Sequence, residues 1–500
     1  MPPRPDTLSP TPPTPLQQRD LAVLWHPCAQ MKDYATFPPL EIASAQGLTL
    51  TLRNGDRVLD AISSWWCKSL GHRHPRITAA LKEQADRFEH VLLANTTSEA
   101  VVSLCERLIQ LANRRPASAA CSSIDASPHF TRVFFADNGS TGVEVALKMA
   151  LQAQFQRGET QRTRLATLTN GYHGETAGAM SVSDLDLYNS PHGPMMFESL
   201  KLTGLPYRSG PTDPAWQDAS AEWPVIEAQL DAAADTLAGL IVEPVAQCAG
   251  HMRFYSPDLL RRLRAWCTAH NVYLIADEIA AGMYRLGHPL ASHHACLGCD
   301  CGTTTGCAAL PDLVILSKGL TAGYVPMAAV LATESIYGLF YDDYATGRAF
   351  MHSNTYAGNA LAVAVAHAAL NVYADEGIAA NVAAVGRDLA DRFFALPKRS
   401  RVFANPRAVG MAAAIDLVGP DGCPLDPAAR TGYRVYQAAV CNGALLRPLG
   451  DTMYLFPPLN TTIEEIDAMI DILLLSVAQA GIWEQESVGM ATTSLPGFPA

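Results

Sequence analysis

Nowhere does the chain hold an apolar run of about 18 residues, so no membrane-spanning helix is expected. Positive charge is not in excess. A net charge of −12 argues against a nucleic-acid surface and for a chain that stays in solution. The opening MPPRPDTLSPTPPTPLQQRD is laden with proline and lacks the apolar stretch of a signal peptide. Residues 1–20 therefore read as a disordered leader, and the absence of targeting features points to the cytoplasm. Cysteine is sparse for the length, 12 in 500 residues. Most of it, such as Cys105, Cys267 and Cys441, lies in segments that read as helix or strand, where it acts as a small apolar residue. One cluster differs: HHACLGCDCGTTTGC holds His293, His294, Cys296, Cys299, Cys301 and Cys307. These are soft, closely spaced metal-ligand types, but the usual paired C-x2-C spacing over a longer loop is missing. A glycine- and threonine-rich surface insertion with reduced thiols is expected, and no metal in the active site.

What is present in quantity is core. With 49% hydrophobic and 17% charged residues, 500 residues support two domains, or one large domain with a lobe. GLTLTLRNGDRVLDAISS (47–64) reads as a hairpin turning at Asn54-Gly55. From about 75 to 370, helices such as 143–156 and 256–270 alternate with short apolar strands at 131–137, 164–169, 238–244, 272–278 and 312–317. This alternation predicts an α/β fold: a mostly parallel sheet covered by helices on both faces. Beyond 371 an amphipathic helix is followed by GMAAAIDL, GALLRPLG and TMYLFPPL, read as short strands, and a last helix near 463–480. The expected organisation is a leader (1–20), an N-terminal segment packing with the small domain (21–70) and a large domain (71–370). The large domain carries an insertion at about 288–309, and a smaller α+β domain (371–484) and a tail (485–500) follow.

Ligands of parallel sheets gather at the carboxyl ends of the strands, and three such ends deliver polar groups. FFADNGSTG leads into a helix whose small first residues, Gly139 and Ser140, suit either a plain N-cap or an anion such as phosphate. VYLIADE sets Asp277 and Glu278 after a buried strand, as caps, ion-pair partners or functional carboxylates. DLVILSKGL ends an apolar run on Lys318, which is either a solvated strand end or a buried amine with a task. A lysine at one strand end and an aspartate at another match what a pyridoxal phosphate (PLP) enzyme requires. The amine bonds the cofactor's aldehyde, and the carboxylate keeps the pyridine nitrogen protonated.

The segments NGYHGET (170–176), IVEP (241–244), LIADEIAAGMYRLG (274–287), LSKGL (316–320) and MHSNTYAGN (351–359) resemble the signature set of class III PLP-dependent aminotransferases. The resemblance covers roughly residues 20 to 480. It implies fold type I: a large PLP-binding domain with a mostly parallel sheet, plus a smaller α+β domain. Within the class, WHPC, SSWWCKSLGHRHP, FADNGSTGVEVALKMA and LLRPLG are similar to the biotin-pathway members. That implies S-adenosylmethionine as amino donor and 8-amino-7-oxononanoate as acceptor. Lysine or another ω-amino acid as substrate, and an aminomutase on the same fold, are the alternatives.

The resemblance also implies roles. Lys318 would bond the cofactor and shuttle the proton, Asp277 would pair with the pyridine nitrogen, and Tyr172 would lie against its ring and border the substrate. Gly139 and Ser140 would hold the phosphate, with Asn354 and Thr355 completing that site from the neighbouring subunit of a homodimer. Substrate would meet Trp65, Arg447, the backbone at Ser353, and Arg285 near the donor end. Three positions depart from the usual pattern: Cys28 for a tyrosine, Glu175 for an aspartate, and Ser353-Asn354 for Gly-Pro.

Overall fold

The computed structural model describes residues 12–114, 129–297 and 309–481. Its centre is a seven-stranded sheet in the order Phe130–Ala136, Ala328–Thr333, Leu313–Leu316, Tyr273–Asp277, Leu237–Val242, Arg164–Leu168, Leu200–Leu202. Ala328–Thr333 runs antiparallel to both its neighbours, and every other ladder is parallel. The strands Leu237–Val242, Tyr273–Asp277 and Leu313–Leu316 are buried throughout, as near-continuous Leu, Ile and Val runs require when helices cover both faces. The helix Gly139–Gln156 lies close on the sheet because Gly142 admits it: a Cβ there would sit 3.0 Å from Ile315 Cγ2 and 3.2 Å from Ala328 Cβ. The helix Pro257–Ala269 starts at a Ser256 cap with proline in its first turn, and buries Leu259, Leu260, Leu263 and Cys267.

A second, antiparallel sheet of Phe403–Val409, Ala412–Leu417 and Thr452–Leu455 packs with the helices Ile378–Arg399, Thr431–Cys441 and Ile463–Gln479. The helix Ala360–Asp375 runs unbroken across position 370. The N-terminal segment is sewn to this second region by backbone bonds: Leu59 N–H to Gly443 O (2.8 Å), Leu445 N–H to Leu59 O (2.8 Å) and Phe456 N–H to Ala61 O (2.9 Å).

The structure corrects three expectations. Residues Pro15–Val23 of the supposed leader form a helix, because Thr14 caps it in a reciprocal box with Gln17 and Pro15 occupies the first turn. Gln17 Nε2 then ties it to Pro39 O at 2.8 Å. Residues 1–11 lie outside the described residues, as do 115–128, 298–308 and the tail from 482. The hairpin is a three-stranded meander, Ile42–Gln46, Thr49–Leu52 and Arg57–Leu59, with Asn54-Gly55 turning only its second half. GALLRPLG is a loop touched by single bridges at Ala444 and Leu449, since Pro448 lacks a donor and Gly450 adopts a positive φ. Arg447 is therefore carried on a loop.

Candidate active site

The carboxyl ends of the central strands open into a cavity of 2240 Å³. Lys318, Asp277, Tyr172, Gly139, Ser140, Trp65, Arg447 and Cys28 all line it. Lys318 follows the buried strand Leu313–Leu316 and takes a left-handed φ of 38°, a conformation costly for a side-chain-bearing residue and concentrated at functional sites. Its Nζ lies 4.7 Å above the Trp66 ring, and no hydrogen bond or ion pair to it forms among the described residues. Burial pulls the amine below its ordinary value, which the neighbouring Asp277 opposes only in part. A lysine so placed holds more of the neutral, nucleophilic form.

Asp277 ends its strand 4% exposed. One oxygen lies 2.8 Å from His173 Nδ1, and the other accepts the Ile279 N–H at 3.0 Å. His173 is itself buried and reaches Thr167 Oγ1 at 3.3 Å, so the carboxylate is oriented from behind. The Tyr172 N–H donates to Glu243 Oε2 at 2.9 Å and its hydroxyl to Glu175 Oε1 at 2.9 Å. Burial, with Glu175 beside it, pushes the Tyr172 phenol well above its ordinary range. Glu243 follows the buried strand Leu237–Val242, accepts a second N–H from Cys248 at 3.2 Å, and is pushed well up by burial and by Asp277.

The wall opposite is made by four consecutive left-handed residues, Ser63, Ser64, Trp65 and Trp66, at φ 52°, 47°, 80° and 68°. Such a run is held only by strong anchors. Asp60, fully buried, accepts the Ser64 N–H at 2.8 Å and its hydroxyl at 2.5 Å, and His72 Nε2 lies 2.9 Å from the same carboxylate. Ser63 Oγ donates to Phe456 O at 2.7 Å and Trp66 Nε1 to Tyr454 OH at 3.2 Å. The turn delivers Trp66 beneath Lys318 and Trp65 to the rim. There the Arg447 guanidinium stacks 4.4 Å from the Trp65 ring centroid and donates to Cys28 O at 2.7 Å.

With this geometry in view, the class III aminotransferase family model matches residues 30–477. The chain belongs to the class III aminotransferases. Adenosylmethionine-8-amino-7-oxononanoate aminotransferase of Helicobacter pylori is 35% identical over 451 residues, covering 89% of this chain and 94% of that one. The enzyme of the same name from Synechococcus elongatus is 37% identical over 462 residues, 90% and 98% of the two chains. Among solved structures, that enzyme from Methanocaldococcus jannaschii superposes with a TM-score of 0.82 at 28% identity, covering 93% and 98%. An amine transaminase from an uncultivated Pseudomonas species, in a PLP-bound form, gives 0.80 at 32% identity over 92% and 99%.

The fold is accordingly fold type I, and the cofactor of this aminotransferase is PLP. Its residues fit that group. The helix start at Gly139 faces the cavity with free N–H groups, and Gly174, at φ 125°, packs so tightly there that a Cβ would meet Ser140 Oγ at 2.2 Å. A buried, oriented carboxylate and an amine with no hydrogen bond or ion pair among the described residues share the floor.

Four sequence candidates lie elsewhere. Ser353, Asn354 and Thr355 do not line the cavity of their own chain; Ser353 and Thr355 are exposed. Arg285 is the correction: it is 2% exposed and outside the cavity lining, donating to Met411 O at 3.0 Å and Pro457 O at 2.6 Å beneath the Phe456 ring. Burial lowers it to about 9, and its work is to tie two backbone stretches together. Of the cysteine-rich segment, Cys299, Cys301 and Cys307 lie outside the described residues. His293 and His294 are buried, each with Nε2 against a backbone carbonyl, Ala112 O at 3.1 Å and Leu286 O at 2.8 Å. Sequence reading passed over Glu243, His173 and Tyr188 as working groups. Glu243 carries the same signal as Asp277, a carboxylate at the end of a fully buried strand. Tyr188, whose ring lies 5.7 Å from that of Tyr172, offers no local signal.

Proposed function

We propose that this aminotransferase moves the amino group of S-adenosylmethionine to 8-amino-7-oxononanoate, giving 7,8-diaminononanoate for biotin synthesis. One observation carries the reading: Arg447, stacked on Trp65, shares a cavity with Lys318. A guanidinium fork suits the distant carboxylate of a long amino-oxo acid, and the indole suits its alkyl chain. The names of the most similar curated relatives agree with it.

When bound, pyridoxal phosphate supplies an aldehyde carbon that takes up and returns the amino group, and a ring that draws electrons from the substrate. Gly139 and Ser140 would hold the phosphate with N–H groups of the helix start, and Tyr172 would border the ring. Asp277, steadied by His173, would hold a proton on the pyridine nitrogen. Lys318, through its neutral amine, would hold the cofactor at its aldehyde carbon and would move a proton at the substrate's amino-bearing carbon. Donor and acceptor use one cavity in turn, so the kinetics are ping-pong.

The same reading makes a homodimer the working unit, with Asn354 and Thr355 completing the phosphate site of a second copy. In support, the Asn354 Oδ1 is buried without a partner among the described residues, and Met351 and Tyr356 nearby are exposed. Sedimentation should show a dimer; a fully active monomer would contradict it.

Purified, cofactor-loaded protein given both substrates should release 7,8-diaminononanoate, followed by mass spectrometry, and neither substrate alone should yield product. Product with lysine but not with S-adenosylmethionine would overturn the donor. An isomerised amine from one substrate alone would overturn the transfer itself.

A further inference from the structure

The backbone around Lys318 is strained. Its left-handed φ of 38° is followed by Ala322 at 48° and Gly323 at 71°, so the turn after the strand Leu313–Leu316 needs support from outside. Within the turn, the Ala322 N–H donates to Gly319 O and the Gly323 N–H to Lys318 O, both at 3.1 Å. From outside, four successive residues of the N-terminal segment meet it in order. Trp66 faces the Lys318 amine, the Cys67 carbonyl lies 2.7 Å from where a Cβ on Gly323 would sit, and Lys68 Nζ lies 4.3 Å over the Tyr324 ring. Ser69 reaches the turn through a third element. Its Oγ lies 2.6 Å from the hydroxyl of Tyr373, on the helix Ala360–Asp375, and that hydroxyl donates to Gly319 O at 2.8 Å. A phenol has one proton to give, so the bond between the two hydroxyls is donated by Ser69. Ser69 and Tyr373 are both buried, and neither lines the cavity.

We propose that Tyr373 is a positioning residue for Lys318: its hydroxyl, oriented by Ser69, fixes the carbonyl of the next residue and so sets where the amine stands in the cavity. The inference rests on Lys318 being the lysine that moves the proton. Tyr373 is shut off from the cavity, so its effect on turnover passes through the turn alone. The packing there is close: a Cβ on Gly319 would sit 2.8 Å from Met283 Cβ and 3.4 Å from the Tyr373 oxygen. Proton transfer depends steeply on where the transferring group is held, and a misplacement of about 1 Å costs up to about a hundredfold in rate. Removing one remote hydroxyl should therefore slow the chemistry without weakening the binding of substrate.

The test compares the PLP-loaded holoenzyme of the wild type with Tyr373→Phe, which keeps the ring, and with Ser69→Ala, which keeps the bond from Tyr373 to Gly319. Each is mixed with S-adenosylmethionine, and in parallel with lysine, in a stopped-flow instrument. Amide exchange in peptides spanning the turn is followed by mass spectrometry without either amine. Tyr373→Phe should lower the limiting rate at which the cofactor's visible absorbance is discharged by about 10–100-fold, and leave the half-saturating concentration within about twofold. Exchange at Ala322 and Gly323 should be about tenfold faster. Ser69→Ala should move rate and exchange in the same directions by less. An unchanged rate and unchanged exchange in Tyr373→Phe, even with a lower melting temperature, would show a merely structural tyrosine and overturn the inference. A raised half-saturating concentration at an unchanged rate would overturn it as well. So would faster exchange at an unchanged rate, and a pyridoxyl label found on Lys318 after reduction separates that result from failure of the Lys318 assignment. If neither amine discharges the wild type, the donor reading falls and exchange alone decides for or against Tyr373.

Discussion

The floor and the rim of the cavity are built in opposite ways. The floor comes from consecutive strand ends of one sheet: Asp277 pairs in register with Ile315, a few residues before Lys318, and Glu243 ends the adjoining strand. Asp277 and Glu243 are buried and fixed by hydrogen bonds to His173 and to backbone N–H groups, and Lys318 beside them is partly buried. The rim comes from chain segments far apart, as when Arg447 donates to the carbonyl of Cys28, and its members are half-exposed. Chemistry common to a family needs a fixed, desolvated floor, where each charge has a large effect. Choice of substrate needs a wall that can change without disturbing that floor. Cys28 and Glu175, two of the positions at which the sequence departs from the resemblance, both line the cavity.

If the division holds, variants should separate along it. Lys318→Ala should abolish the cofactor's bonded absorbance band and cost at least about 10²–10⁴-fold in turnover through lost proton transfer, read by stopped-flow spectroscopy. Asp277→Asn leaves His173 facing a neutral amide. A loss of about a hundredfold in turnover is expected, together with weaker cofactor retention on dialysis. Arg447→Ala should instead raise KM for the acceptor by about 10–100-fold while leaving the absorbance band of the resting enzyme in place. A vanished band in that variant would show that rim and floor are not separable.

Asp277 and its neighbour Glu278 sharpen the same contrast within two residues. Glu278 turns away from the cavity lining and accepts from Ala291 N–H, Ser292 N–H and Ser292 Oγ at 2.7, 2.7 and 2.6 Å. Burial raises it to about 7 from an ordinary 4.5. The folded state therefore binds its proton more tightly than the unfolded chain. Stability from this group is complete below the ordinary value and is lost as pH rises through about 7. Denaturant midpoints should fall across that window by the equivalent of a few kcal/mol, and Glu278→Gln should flatten the slope. The smallest effect is expected at Thr14→Ala, which removes the cap of the helix Pro15–Val23 behind the rim. Thermal melting should drop by the equivalent of about 1 kcal/mol without loss of the absorbance band.

The sequence is legible where function depends on a strand ending. Apolar runs located five of the seven strands of the main sheet within a residue or two, and a polar group after such a run marked Asp277 and Lys318. Ala328–Thr333 went unseen because its AAVLAT pattern follows a glycine- and proline-broken turn and looks no different from buried helix. The rim was visible only through family resemblance. Nothing local in Ser-Ser-Trp-Trp announces four left-handed residues, since Asp60, His72 and Phe456 impose them from outside. Arg285 misled for the complementary reason: a guanidinium in a signature segment looks like a ligand group until the carbonyls of Met411 and Pro457 are found to hold it.

The central claim is that Lys318, which forms no hydrogen bond or ion pair among the described residues, is the residue that would bond the cofactor. The most direct measurement is to load the purified protein with pyridoxal phosphate, reduce it with borohydride, digest it and locate the pyridoxyl mass by tandem mass spectrometry. The account predicts a single modified peptide carrying the label on Lys318. A label on any other lysine, such as Lys68 or Lys201, with Lys318 unmodified, would contradict it.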